Sequence, residues 1–246
     1  MLISFTQTYG DRRKLLEIYS KDKKLIEFKN HFDINYYSFH NCPDEIVEYF
    51  KSINKVKNTE ILIFNGISYP RCLQSVIEKS KQNNCSYFFF SQDDTFSTNN
   101  EDIDFEEFFD FIKSYKERFM ICLGHSYNSL QGELGSDLKV LRTFGKSILY
   151  ENNNLNYNKI LHNRGGFDDE PYIATFDLVE KIYDQNFFNS PDVWRAEGVL
   201  TGKWSYEEEI PRHIFNEALF ENHNMLGRNN HLKSHWEQRL INKNIF

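Results

Sequence analysis

Cysteine is scarce in this chain of 246 residues, which has only Cys42, Cys72, Cys85 and Cys122, with no close pair and no Cys-X-X-Cys spacing. That argues against a cysteine-based zinc cluster and a disulfide framework, and points to a reduced, cytoplasmic compartment. Long apolar runs are missing as well. No segment approaches the 18 or so consecutive apolar residues of a membrane-spanning helix, which leaves only peripheral contact with a membrane open. Positive charge is in deficit, with 29 Lys and Arg against 36 Asp and Glu and a net charge of -7. General nucleic-acid binding, which needs a basic face, is therefore not expected, while the balance leaves room for a local basic pocket for one phosphorylated small molecule. A Walker-type phosphate loop, a Gly-X-Ser-X-Gly elbow and a His-Glu-X-X-His helix are all missing, which sets aside three large enzyme classes. Residues 1–6, Met-Leu-Ile-Ser-Phe-Thr, read as a first strand rather than as a signal peptide. No internal repeat and no Pro/Gly-rich linker divides the sequence, so a single domain is expected.

What the chain has in quantity is aromatic residues, with 23 Phe and 14 Tyr. Its most informative stretch runs from Tyr87 to Phe96, where Tyr87-Phe88-Phe89-Phe90 ends abruptly in Ser91-Gln92-Asp93-Asp94. A short apolar run closed by a polar turn reads as a strand buried on both faces of a sheet. The C-terminal ends of such strands are where open α/β sheets place their ligand crevice. Two adjacent carboxylates there repel each other and lose hydration unless a cation, a base or water offsets the cost. A hard divalent ion, Mg²⁺ or Mn²⁺, is the cation that suits oxygen ligands of this kind. The alternative is a solvated turn in which Asp93 and Asp94 cap the next segment.

The rest of the first half alternates strand and helix patterns. Leu2–Thr6, Asp33–Phe39, Ile61–Phe64 and Tyr87–Phe90 read as strands, and Phe119–Leu123 as a fifth. Helical periodicity lies between them, over 11–19, after Pro43, over 70–82 and from Phe105 to about Arg118. This alternation predicts βαβ units in a mostly parallel central sheet flanked by helices. Right-handed crossovers then put all strand C-termini on one rim. The rim collects Gln7, Thr8, Tyr9, His40, Asn41, Asn65, Gly66, Gln92, Asp93 and Asp94. From 126 to 170 the pattern weakens into loops with short strands; Tyr172–Val179 reads as a late strand, and a helix is expected from the Glu207-Glu208-Glu209 run to about Phe220.

With the Gln92-Asp93-Asp94 corner at the end of its apolar strand, the chain resembles nucleotide-sugar-dependent glycosyltransferases of the GT-A fold, family 2-like. The likeness covers roughly residues 2 to 125 in layout. The corner stands where such enzymes carry an Asp-X-Asp or Glu-Asp-Asp motif, and Gln92 departs from it by keeping an acceptor oxygen without the charge. The resemblance implies a GT-A (Rossmann-like) α/β domain, with residues 1–125 binding the nucleoside-diphosphate sugar and 126–246 the acceptor. That acceptor is a glycan or another hydroxyl, lipid-linked or protein-linked. By the same resemblance Thr6, Gln7, Thr8, Tyr9, His40 and Asn41 hold the base and ribose, with Tyr9 stacked on the base and Asn65 a further contact to the nucleotide sugar. Arg12, Arg13 or Arg71 then contacts phosphate, the alternative for each being a solvated helix face. Gln92 and Asp93 face the ribose or a metal-bound water, and Asp94 binds Mn²⁺ or Mg²⁺, with a late His such as His223 or His231 at the metal or diphosphate. An inverting enzyme also needs a carboxylate base. Glu197, beside Trp194 and Arg195, and Glu208 compete for that role, although Ser205 and Glu208 also have capping-box spacing. Two rival assignments differ in chemistry: a nucleotidyltransferase that makes the sugar nucleotide, poorly supported by the single Gly of Gln7-Thr8-Tyr9-Gly10-Asp11-Arg12, and a non-catalytic binding module of the same shape.

Overall fold

A computed structural model of the protein describes residues 1–97, 104–114, 118–126, 146–149, 156–161, 171–191, 211–215 and 219–222. The N-terminal apolar runs become four parallel strands: β1 (Leu2–Tyr9), β2 (Ile34–His40), β3 (Thr59–Phe64) and β4 (Tyr87–Gln92). Helices α1 (Arg13–Tyr19), α2 (Lys23–Lys29), α3 (Asp44–Ile53) and α4 (Tyr69–Gln82) connect them. After β5 (Thr95–Ser97) and α5 (Phe105–Ser114) come β6 (Met120–Ser126), β7 (Lys146–Leu149), β8 (Asn156–Leu161) and β9 (Tyr172–Thr175). Two short helices, α6 (Phe176–Ile182) and α7 (Gln185–Phe188), precede β10 (Pro211–Phe215) and β11 (Phe220–Asn222).

Among the described residues, nine strands form one sheet in the order β3-β2-β1-β4-β9-β6-β10-β8-β7, while β5 and β11 pair separately. Only β8 and β9 run against the others, as their antiparallel pairings show. The expected α/β sheet with helices on both faces is therefore present, and the C-terminal ends of β1 to β4 share one rim. Strand alternation builds two cores from β4 alone. Phe89 enters the layer under α2, α3 and α5, while Phe88 and Phe90 enter the layer under α4, α6 and α7. In α5 the apolar residues Phe105, Phe108, Phe109 and Ile112 recur at helical spacing and are all buried. The ring of Phe28 gathers six aromatic rings, with centroids 4.9–6.1 Å away.

Two expectations change. The alternating run from Tyr172 is a strand only to Thr175, and α6 begins at Phe176. Its apolar residues Phe176, Leu178, Val179 and Ile182 pack on the sheet, so burial on a helix face overrode a β-rich composition. The tail helix expected as far as Phe220 gives way to β10 and β11. Residues 211–215 pair parallel with β6 and antiparallel with β8, and Pro211 sits at the strand's first residue, where its missing N–H costs least. The α2 helix was not anticipated. Its signal was Asp22, whose side chain caps Leu25 N at 3.0 Å.

One strip of the first core is polar. Ser4 and Thr6 of β1, Asn35 of β2 and Ser91 of β4 share a face, and Lys29 of α2 reaches into it with no exposed surface. Its Nζ is hydrogen-bonded to Thr6 Oγ1 at 2.6 Å, Ser4 Oγ at 3.2 Å and Ser91 Oγ at 3.3 Å. It also lies 4.7 Å from the ring centroid of Phe89. Among the described residues no carboxylate pairs with it, and burial holds its pKa well below the ordinary lysine value.

Candidate functional site

A cleft of about 410 Å³ opens at the rim, lined by Gln7, Tyr9, Arg12, His40, Ser68, Tyr69, Gln92 and Pro191. Strand period selects the first of these. Residues 7 and 9 of β1, 40 of β2 and 92 of β4 continue the faces of Phe5, Tyr36 and Phe90, so all four side chains emerge above the second core. Thr6 and Thr8 alternate to the other face and are buried at 1 % and 0 % exposure. Thr6 joins the Lys29 network there. Of the residues expected to face a nucleotide, the cleft thus brings together Gln7, Tyr9, Arg12, His40 and Gln92.

The mouth is shaped by backbone ties between strand ends. Gly10, at φ 63, donates its N–H to His40 O at 3.1 Å, a left-handed conformation that a side chain would strain. Asn41 donates its N–H to Phe64 O at 2.9 Å, and its side chain accepts from Gly66 N at 2.9 Å. Asn41 therefore splices β2 to β3, and Asn65 lies beyond it, exposed and outside the cleft lining. The Tyr9 ring is 51 % exposed and meets the His40 ring edge-on at 5.2 Å, which leaves a face open to a flat ligand. His40 is buried, with Nε2 hydrogen-bonded to Ile67 O and Nδ1 without a hydrogen-bond partner.

Arg71 turns away from the cleft and donates to Gln74 Oε1 and to Asn189 Oδ1, both at 2.7 Å. The second bond ties α4 to the segment that carries Pro191 into the cleft wall. Ser68, Tyr69 and Pro191 are the lining residues that sequence reasoning missed. The helix start at Ser68-Tyr69-Pro70 was the available signal for the first two, and no local pattern marked Pro191.

The acidic corner adjoins the cleft through Gln92 and Arg12. Asp93 N donates to Gln7 O at 3.0 Å, continuing the β1–β4 ladder by one residue. Its side chain has no exposed surface, and Arg12 Nη1 donates to its Oδ1 at 2.7 Å. Burial pushes the Asp93 carboxyl up to about 6, and the Arg12 guanidinium opposes that rise. Asp94 is buried at 7 % exposure. From beneath, Asp22 accepts from Ser97 N at 2.6 Å and from Ser97 Oγ at 2.8 Å, which pins β5 immediately after the corner.

Among the described residues, no three His, Cys, Asp or Glu side chains group to hold a metal ion. A nucleotide-bound Mg²⁺ or Mn²⁺ needs only one or two carboxylates, since phosphates and water complete its shell. The corner fits a cation delivered in that way, with the carboxylates of Asp93 and Asp94 as the oxygen ligands at hand. Glu197, Glu208 and His231 lie outside the described residues, as does His223.

The sequence matches no protein-family model and no curated protein. Solved structures resemble the chain at very low identity. A mannosyltransferase from Pyrobaculum calidifontis, in complex with GDP-Man and Mn²⁺, superposes with a TM-score of 0.52 at 10 % identity, over 97 % of this chain and 60 % of that one. A 4-diphosphocytidyl-2C-methyl-D-erythritol synthase from Anaerococcus prevotii gives 0.49 at 9 %, over 98 % and 95 %. TarS residues 1–349 from S. aureus give 0.46 at 12 %, over 90 % and 60 %. The chain has the α/β fold of GT-A-like nucleotide-sugar transferases. Among the described residues, no helix is long and apolar enough to cross a membrane.

Proposed function

We propose that this protein is a glycosyltransferase that uses a nucleoside-diphosphate sugar and a divalent metal to glycosylate a hydroxyl acceptor. The observation that carries the proposal is the convergence of Gln7, Tyr9, Arg12, His40 and Gln92 on one cleft beside the Asp93–Asp94 corner. A nucleoside diphosphate laid across the rim puts its base on the open face of Tyr9 and its phosphates toward Arg12 and Asp94. The fold-sharing mannosyltransferase is bound to GDP-Man and Mn²⁺, the same kinds of ligand.

The roles follow from chemistry. Tyr9 and His40 offer an aromatic surface for the base, and Gln7 and Gln92 offer amide donors and acceptors for base or ribose. Arg12 supplies a fixed cation for phosphate. Asp94 would hold Mn²⁺ or Mg²⁺, which when bound neutralises charge on the departing nucleoside diphosphate. Residues 126–246 would present the acceptor, a glycan or a lipid- or protein-linked hydroxyl. Glu197 is our first choice to take its proton and Glu208 the second, with His231 a further metal or diphosphate contact.

The test is calorimetric. Removing the Tyr9 ring in Tyr9→Ala should weaken binding of uridine or guanosine diphosphate by roughly 1–3 kcal/mol, the scale of base–aromatic stacking. The Mn²⁺ dependence of binding should persist, because the diphosphate end is untouched. If Tyr9→Ala binds like the parent protein, the base does not lie on the β1 exit and the donor site is misplaced.

A further inference from the structure

The first carboxylate of the corner has a partner that its sequence position does not suggest. Asp93 and Arg12 are 81 residues apart, yet Nη1 and Oδ1 meet at 2.7 Å. The two differ sharply in access. The Asp93 side chain has no exposed surface, whereas that of Arg12 is 33 % exposed and lines the cleft. Asp93 is also held by its own backbone, since its N–H extends the β1–β4 ladder to Gln7 O. With the backbone held there, swinging the carboxylate out toward a ligand would break the ion pair. The guanidinium, by contrast, has five N–H donors, of which the described residues engage only Nη1.

We infer that Asp93 acts on the donor through Arg12, as a positioning residue that fixes the guanidinium at the cleft as a phosphate-binding cation, and that Asp93 is not itself a metal ligand. The inference rests on the donor site proposed above and adds a division of labour within it. Two phosphate-binding devices stand side by side: a permanent cation, Arg12 braced by a buried carboxylate, and a metal-dependent one at Asp94. Bracing matters because an arginine on a loop loses side-chain entropy whenever it binds. A buried partner has already taken that loss and aligned the planar fork. Asp93 Oδ2, buried and without a hydrogen-bond partner, is the atom on which a metal-ligand role for this residue would have to rest. Asp93 is not among the residues lining the cleft.

The two roles separate in titrations of uridine and guanosine diphosphates performed once in EDTA and once in Mn²⁺. In EDTA the parent protein should bind the tighter of the two measurably. Arg12→Gln should lose about tenfold or more of that metal-free affinity, and Asp93→Asn should lose a comparable amount. The double variant should be no weaker than Arg12→Gln alone, because one residue acts through the other. The gain in affinity on adding Mn²⁺ should stay at its parental ratio in all three. An unchanged metal-free affinity in Arg12→Gln overturns the inference, whatever the stability of the Asp93 variant. So does an Asp93→Asn protein that keeps its metal-free affinity and loses the Mn²⁺ gain, since that is how a metal ligand behaves. A parent protein that binds neither nucleotide under either condition instead overturns the donor site itself, and this inference with it.

Discussion

Replacing Asp94 with Asn should lower metal-dependent transfer or donor hydrolysis by at least about a hundredfold, the scale seen when one electrostatic stabiliser of a transition state is removed. Asn keeps the shape and one acceptor oxygen of the carboxylate but not its charge, and a hard divalent ion depends on the charge. Asp94 is nearly buried and sits in the turn between β4 and β5, where Ser97 is already clamped by Asp22. An isosteric change there should leave the thermal midpoint close to the parent value. Turnover measured across a Mn²⁺ titration, beside a melting curve, decides between roles. Full activity in Asp94→Asn would remove the residue from the metal site. Lost activity accompanied by a large fall in stability would mark it as a structural turn residue. Donor hydrolysis in the parent protein would further separate an enzyme from a binding module of the same shape, because a pure binder shows none.

The second large effect is expected from Lys29, which takes no part in the cleft. Truncation in Lys29→Ala should destabilise the protein by about 2–5 kcal/mol, the range for removing a large buried side chain. The cavity would be lined by the hydroxyls of Ser4, Thr6 and Ser91, each losing a hydrogen-bond partner. Lys29→Met fills the space without the charge and should cost much less. The pH dependence distinguishes packing from charge. With its folded pKa held well below the ordinary value by burial, Lys29 binds fewer protons in the folded than in the unfolded chain between those two pKa values. The stability penalty of keeping it uncharged therefore diminishes as pH rises through that window. Burial raises Cys42 and Cys72 to about 11 and Cys85 to about 12, which works in the opposite direction above the ordinary thiol pKa. Those thiols are common to parent and variant. The stability of the parent minus that of Lys29→Met, from denaturant melts between pH 7 and 9.5, should thus rise with pH. A difference that stays flat would show that Lys29 keeps its ordinary pKa in the folded protein.

Much of the architecture was legible because its signals are local. The four-aromatic run of Tyr87–Phe90 needed both faces buried, and β4 is buried on both. Period 3.6 marked α4 and α5 to within a residue or two at the ends that are described. The rim was legible too, since parallel connections leave strand ends no other place to go. The cleft was half legible. Gln7, Tyr9, His40 and Gln92 came from strand ends read directly off the chain and Arg12 from the family resemblance, whereas the burial of Thr6 and Thr8 follows from the two-residue period of β1. Where local pattern competed with tertiary packing, as at 176–182 and 211–222, the pattern was misleading. A β-rich run became α6, and an expected helix became β10 and β11.

The sequence by itself determined the alternation of strands and helices in the first half, and the carboxylate corner at the end of a strand buried on both faces. Each of these depends on residues within a few positions of one another, and hydrophobic period and turn chemistry act over that range. Tertiary structure alone decided which charge meets which. It gave Asp93 to Arg12, 81 residues away, left Lys29 with three hydroxyls in place of a carboxylate, and inserted β9 between β4 and β6. A buried charge must find its partner among whatever side chains the packing brings within hydrogen-bond distance, and separation along the chain does not constrain that choice.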